Sequence, residues 1–282
     1  MKRLGQFLTL FIFVIGIFGT ANSAEWKKVR IATEGAFKPW NFVDASGNLA
    51  GFEIELGADL CKRLGLEYEF VSHGWKGIIT ALNDREYDAV MAAVSITPDR
   101  QKKVAFSISY ADSPGTLIVR IDSLLAGMKT KMERISLDNI DPKEQAVLDD
   151  MAEQLKGKTI GVQISTTHEK FAQQFFGNTS TIRSYDFQDT LDLELYTERL
   201  DAAVGPMSYW VPMIQSAKGR EFKTIGPGMT SGPFGRGVGV AVRKQDKELA
   251  DMFSRAIKET IKDGTLRKLA LKWFTFDASS KH

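Results

Sequence analysis

Arg100 has the chemically most informative setting in this 282-residue chain. It closes the stretch Ser95-Ile96-Thr97-Pro98-Asp99-Arg100, which follows the run Asp88 to Val94 of small and β-branched residues. That run reads as a buried strand. The Thr-Pro pair after it predicts a helix start with Arg100 in the first turn. Hydroxyls and one guanidinium are thus expected at a strand's carboxyl end, the edge where open α/β sheets bind ligands. A guanidinium grips a carboxylate by two parallel hydrogen bonds, so the chemistry on offer is recognition of an acid group. An exposed arginine on a solvated turn is the plainer alternative.

A second set of polar groups stands at Ser165-Thr166-Thr167, after the strand-like Lys158 to Val162 and before a helical pattern carrying Phe171 and Phe175. Hydroxyl residues at a helix start leave backbone N–H groups pointing at the sheet edge, which makes an anion site. They also serve as ordinary helix caps. The three histidines show no metal-ligand spacing, so neither metal nor cofactor is expected. The glycines of Gly232 to Gly237 lack the Lys-Ser/Thr of a phosphate-cradling loop.

The elements that must carry these groups alternate as in an α/β protein. Val29 to Thr33 alternates as a strand and opens onto the aromatic loop Glu34 to Phe42, where Trp40 and Phe42 read as a hydrophobic plug. Phe52, Leu56, Leu60 and Leu64 give one face of a helix ending at Gly65. Tyr68 to Val71 delivers Ser72-His73-Gly74-Trp75 to the same edge, and Ile78 to Leu82 is helical. Thr116 to Arg120 is a strand after the break Ala111 to Gly115, which reads as a first crossing between two lobes. Asp141-Pro142 starts an amphipathic helix, Ile182 to Tyr185 and Arg199 to Val204 are strands, and Thr190 to Glu198 between them is helical. Gly226 to Met229 reads as the close of the second lobe, Gly232 to Gly237 as a mobile segment beside a second crossing, and Val238 to Arg243 as the returning strand. Leu249, Phe253 and Ile257 give a C-terminal helix.

Lys2 and Arg3, the apolar run Leu4 to Phe18 and the small residues Gly19 to Ala24 form the three-part pattern of a secretory signal peptide. Its removal leaves 35 basic against 35 acidic side chains, which gives no electrostatic case for nucleic acid or an anionic membrane. With Cys61 alone no intrachain disulfide forms, and it reads as a small buried apolar residue.

Ala92-Ala93-Val94-Ser95-Ile96-Thr97-x-x-Arg100, with Val104-Ala105-Phe106-Ser107 and Tyr110, resembles the central motif of the polar amino-acid-binding proteins of bacterial ABC importers. These are the family 3 solute-binding proteins, and the octopine/nopaline-binding and lysine/arginine/ornithine-binding members look nearest. The resemblance runs from about Val29 to Phe274. It implies a two-lobed periplasmic binding protein fold of type II, each lobe a mixed sheet flanked by helices, with two crossover hinge strands. The expected division is signal peptide 1–24, lobe I 25–112 and 230–282, and lobe II 113–229. The implied protein is a monomer in the periplasm that closes on an amino acid or opine and presents it to a membrane permease.

The resemblance also implies roles. Arg100 takes the ligand carboxylate with N–H groups around Ser165, Thr166 and Thr167, while Phe37 and Trp75 sandwich its chain. Glu34 pairs with a distal cation, and the Ala92-Ala93 backbone and Ser95 hydroxyl take the amine side. The family's motif has glycine where Ile164 stands. It has an aspartate for the α-ammonium where Pro206 stands, and Ser208 or a backbone carbonyl is the substitute at hand. Pro206 offers neither charge nor N–H, which favours an opine or another N-modified ligand. The rival is an enzyme of cyclohexadienyl dehydratase type on the same fold, with Glu34 or Glu169 as general acid.

Overall fold

The computed structural model describes residues 26–280, so the expected signal segment 1–24 lies outside the described residues. Two mixed sheets organise two lobes. The first runs Glu67–Ser72, Lys28–Thr33, Ala89–Val90, Ala241–Arg243, Val104–Phe106; its first three strands are parallel, and Ala241–Arg243 is antiparallel to both neighbours. The second runs Thr181–Tyr185, Thr159–Gln163, Ala202–Pro206, Gly115–Arg120, Phe222–Thr230, Arg134–Ser136, again with a parallel half and an antiparallel centre. The chain passes between the lobes beside Ala111 and returns beside Val238. These two segments pair with each other, Val238 N–H donating to the Ala111 carbonyl at 2.8 Å.

Helices form where the spacing predicts them. Phe52–Leu64 buries Phe52, Leu56 and Leu60 and ends on left-handed Gly65, and Cys61 lies buried on the same helix. Pro142–Gln154 starts with a reciprocal Asp141–Glu144 capping box and buries Val147, Leu148 and Met151. One apolar cluster fills a face of the second sheet, from Leu117 and Val162 to Phe171 and Phe176. Another runs between the lobes without a break, joined by the stacked rings of Phe37 and Tyr209, 4.8 Å apart.

Two expected elements differ. The strand foreseen over Asp88 to Val94 covers Ala89–Val90 only. Ala93 turns to φ +52 and donates its N–H at 2.8 Å to Glu53, a fully buried carboxylate that also accepts from Asn41 and from the Tyr110 hydroxyl. That tether draws the chain out of the extended state, and a buried carboxylate needs such partners. Strand Phe222–Thr230 runs through Gly226 to Met229, with an irregularity between Ile225 and Met229 that accommodates Pro227, which has no N–H to give the ladder. The returning strand is Ala241–Arg243, and Val238 instead makes isolated bridges to Ser95 and Ala111.

Candidate functional site

The carboxyl ends of strands from both sheets face one cavity of about 660 Å³, part of it open to solvent. Lys28–Thr33 leads straight into Glu34, Ala89–Val90 into Ala92 and Ala93, Thr159–Gln163 into Thr166 and Thr167, and Ala202–Pro206 ends in Pro206. Of the residues singled out in the sequence, Glu34, Phe37, Trp75, Ala92, Ala93, Ser95, Arg100, Thr166 and Thr167 line this space.

Arg100 is carried on the short helix Pro98–Gln101, whose N-cap Thr97 accepts the Arg100 N–H on its side chain. The guanidinium lies 5.1 Å from the Trp75 ring centre and donates to the carbonyls of Ser95 at 3.1 Å and Ser165 at 3.4 Å. Burial lowers it to about 10, so it stays charged at any physiological pH. Trp75 in turn donates its Nε1–H to the Ile164 carbonyl at 3.0 Å across the cleft. Beside Arg100 starts the helix Thr167–Phe176. Thr166 caps it by accepting the Glu169 N–H, which leaves the Thr167 and His168 amides without intrahelical acceptors. Burial, and secondarily Arg100, pushes the His168 imidazole down to about 3, so it is neutral.

Glu34 sits elsewhere in the cavity and is 6% exposed. Its carboxylate accepts from Gln163 Nε2 at 2.8 Å. Burial raises it to about 7, opposed by the Gln163 bond and reinforced by Asp189 and Glu53. Phe37 rests on Tyr209, whose hydroxyl donates to Asp192; Asp192 also accepts from Gln188 at 2.9 Å. Burial holds Asp192 near 6.

Two expected site residues are placed differently. Ser208 is fully buried outside the cavity lining, its hydroxyl accepting from Trp40 Nε1 at 2.9 Å and its N–H donating to Ser113 Oγ. It ties the lobes together and does not face a ligand's amine side. Trp40 is both the expected plug, packed on Phe52 and Phe274, and the donor of that tie. Ser165 lies in an adjoining depression at the cleft mouth and contributes its carbonyl to Arg100. Ile164, where the family's motif has glycine, keeps a negative φ, and the left-handed residue is its neighbour Ser165, at φ +60, whose N–H Glu169 accepts.

Sequence reasoning missed Gln163, His168, Gln188, Ser113 and Phe234 as lining residues. Gln163 at a strand end and His168 in the first turn of a helix were the available signals. Phe234 belongs to the glycine-rich stretch expected to be mobile, yet it is 8% exposed and packs on Phe171 at 5.1 Å and His168 at 5.3 Å. The flanking glycines Gly235 and Gly237 have positive φ, and a Cβ there would strike the Ile96 carbonyl and Ser109 Oγ.

Residues 29–276 match the model of the bacterial extracellular solute-binding proteins, family 3. The chain is similar to the octopine-binding periplasmic protein of Rhizobium meliloti, 33% identical over 98% of this chain and 99% of that protein. It is also similar to a periplasmic His/Glu/Gln/Arg/opine family-binding protein from Silicibacter pomeroyi in complex with lysine. That structure is 29% identical with TM-score 0.71, over 90% of this chain and 100% of that one. A third similar structure is an ancestral amino acid-binding protein, a precursor of cyclohexadienyl dehydratase. It is 30% identical with TM-score 0.72, over 88% of this chain and 95% of that one.

Proposed function

The chain belongs to the bacterial extracellular solute-binding proteins, family 3, and from that premise we propose that it is the receptor of an ABC importer for a polar or basic amino acid or an opine. The observation that carries this reading is Arg100 in the cavity, charged and with donors to spare, beside the two free amides that open helix Thr167–Phe176. A ligand carboxylate there meets a forked cation and a helix N-terminus together. A ligand cation is met by Glu34, and the aliphatic chain between them by Phe37 and Trp75.

Lobe I comprises 25–112 and 230–282 and lobe II 113–229 in this reading. The segments around Ala111 and Val238 flex as the lobes close, and the closed monomer docks on its permease in the periplasm after residues 1–24 are removed. Trp75 to the Ile164 carbonyl, Gln163 to Glu34 and Trp40 to Ser208 hold the closed form. A thermal-shift panel of basic amino acids and octopine tests it. A ligand that binds raises the melting temperature with the logarithm of its excess over Kd, and the absence of any shift across the panel contradicts the proposal.

The same site supports a second reading. A buried acid held near 7, as Glu34 is, suits proton donation to a leaving group, and the precursor of cyclohexadienyl dehydratase is similar to this chain. Against it, Glu34 is the one carboxylate that lines the cavity among the described residues, His168 there is held down to about 3 by burial, and Glu169 is committed to the Ser165 N–H and the Ser184 hydroxyl. We therefore assign no enzymatic activity. Turnover of prephenate or arogenate by the purified protein reverses that assignment.

A further inference from the structure

The charge inventory of the cavity is short. Among the described residues that line it, Arg100 is the one full cation and Glu34 the one carboxylate. They are not partners. Arg100 bonds the Ser95 and Ser165 backbone carbonyls, and Glu34 bonds Gln163 and has Asp189 and Glu53 as charged neighbours. The cavity therefore has a cationic end and an acidic end, each free to meet one opposite charge on a ligand.

An ordinary basic amino acid brings a further full charge, the α-ammonium next to its carboxylate. It needs an acid close to Arg100, because a buried ammonium left with neutral partners loses its hydration without a matching return. The wall beside Arg100 offers none. His168 is neutral there and packs on Phe234 at 5.3 Å. Phe234 lies against Gly115, where a Cβ would meet its ring at 2.5 Å, and Gly115 pairs in register with Pro206. His168, Phe234 and Pro206 thus form a surface with no negative charge. The Ser95 carbonyl is already given to Arg100, and what the lining offers besides is neutral, the Ser95 hydroxyl and the Ala93 backbone among it.

We propose that this site selects carboxylates bearing a cation at the far end of the molecule and does not read an α-ammonium, so that absence or substitution of the α-nitrogen causes no loss of binding. The proposal rests on the carboxylate-binding role of Arg100 given above and narrows its ligand class. It makes Pro206, the strand-end residue of that wall, the specificity-determining position.

Titration calorimetry with three probes separates the two levels. L-arginine, 5-guanidinopentanoate (the same molecule without the α-amine) and agmatine (the same without the carboxylate) are measured against the full mature chain. The first two are expected within about five-fold of each other in Kd and agmatine at least about a hundred-fold weaker, since a lost buried charge contact spans that range. L-arginine binding about thirty-fold or more tighter than 5-guanidinopentanoate, with agmatine still weak, overturns the inference and leaves the receptor reading intact. Agmatine binding as well as the others, or none of the three binding, removes the carboxylate role of Arg100 and the inference with it.

Pro206→Asp supplies the missing acid at a helix N-cap, where aspartate is well tolerated. It is expected to shift the ratio of the two Kd values at least about ten-fold toward L-arginine. An unchanged ratio in a variant whose melting curve shows it folded contradicts the proposal, and the wild-type comparison decides the matter if the variant does not fold.

Discussion

Arg100 and Glu34 reach one cavity by different routes. Arg100 arrives on a capped turn of helix and keeps two backbone carbonyls as fixed partners. Glu34 comes directly off a strand, and its carboxylate has one side-chain partner, Gln163, supplied by the other lobe. Burial acts on both, lowering the guanidinium to about 10 and raising the carboxyl to about 7. The consequences differ. The cation stays charged across the physiological range, while the acid sits at its titration point. One end of the cleft is a fixed grip and the other changes strength with pH and with closure.

Removing the fixed grip should have the largest effect. Arg100→Ala is expected to weaken binding of a carboxylate ligand by about 2–5 kcal/mol, since a charge contact made in the cleft is left half-formed. Titration calorimetry reads it, and affinity equal to wild type breaks the comparison at its stronger side.

The adjustable grip comes next. Glu34→Gln should cost a ligand with a distal cation about 1.5–3 kcal/mol, the range for a hydrogen bond to a charged group, and should also remove a pH dependence. The sign follows from the raised value. In the free folded protein Glu34 holds its proton to about 7, whereas in the unfolded chain it loses it near the ordinary carboxylate value. Its neutral form therefore contributes stability that is present at acid pH and is lost as pH rises toward and through 7. A ligand cation favours the ionised form, so binding should strengthen as pH rises to about 7 and then level off. Calorimetry from pH 5 to 8 checks this. A flat wild-type profile, or the same slope in Glu34→Gln, contradicts it.

The ties between the lobes rank below both ends. Trp40→Phe keeps the ring packed on Phe52 and Phe274 and removes only the bond to Ser208. The closed form should lose about 0.5–1.5 kcal/mol, seen as a faster ligand off-rate with little change in on-rate. The smallest effect belongs to the cleft-mouth pair Lys170–Asp99, 2.7 Å apart and exposed on both sides. Asp99→Asn should leave affinity within error at physiological salt, and a large loss would move the lock from the buried ties to the rim.

The residues that the sequence disclosed are those whose role is local. Thr97-Pro98 starts a helix and so fixes Arg100, Thr166 caps Thr167–Phe176, and Gly65 stops the first long helix because it takes a left-handed conformation. Ser208 shows the limit. A hydroxyl at a strand end reads as ligand-facing, but a tryptophan 168 positions away claims it inside the protein. Gln163 becomes a site residue only because the other lobe brings Glu34 to it. The strand expected through Val94 failed for the same reason, since Glu53 on the neighbouring helix captures the Ala93 amide. Phe234 was hidden by its glycines, whose positive φ values reflect close backbone packing.

The most direct test is a crystal structure with a bound carboxylate that carries its cation at the far end. The account requires both carboxylate oxygens within hydrogen-bonding distance of the Arg100 guanidinium and the free amides of Thr167 and His168, with the cation beside Glu34. A ligand lying the other way round, or held outside the cleft with Arg100 still bonded only to Ser95 and Ser165, would contradict it.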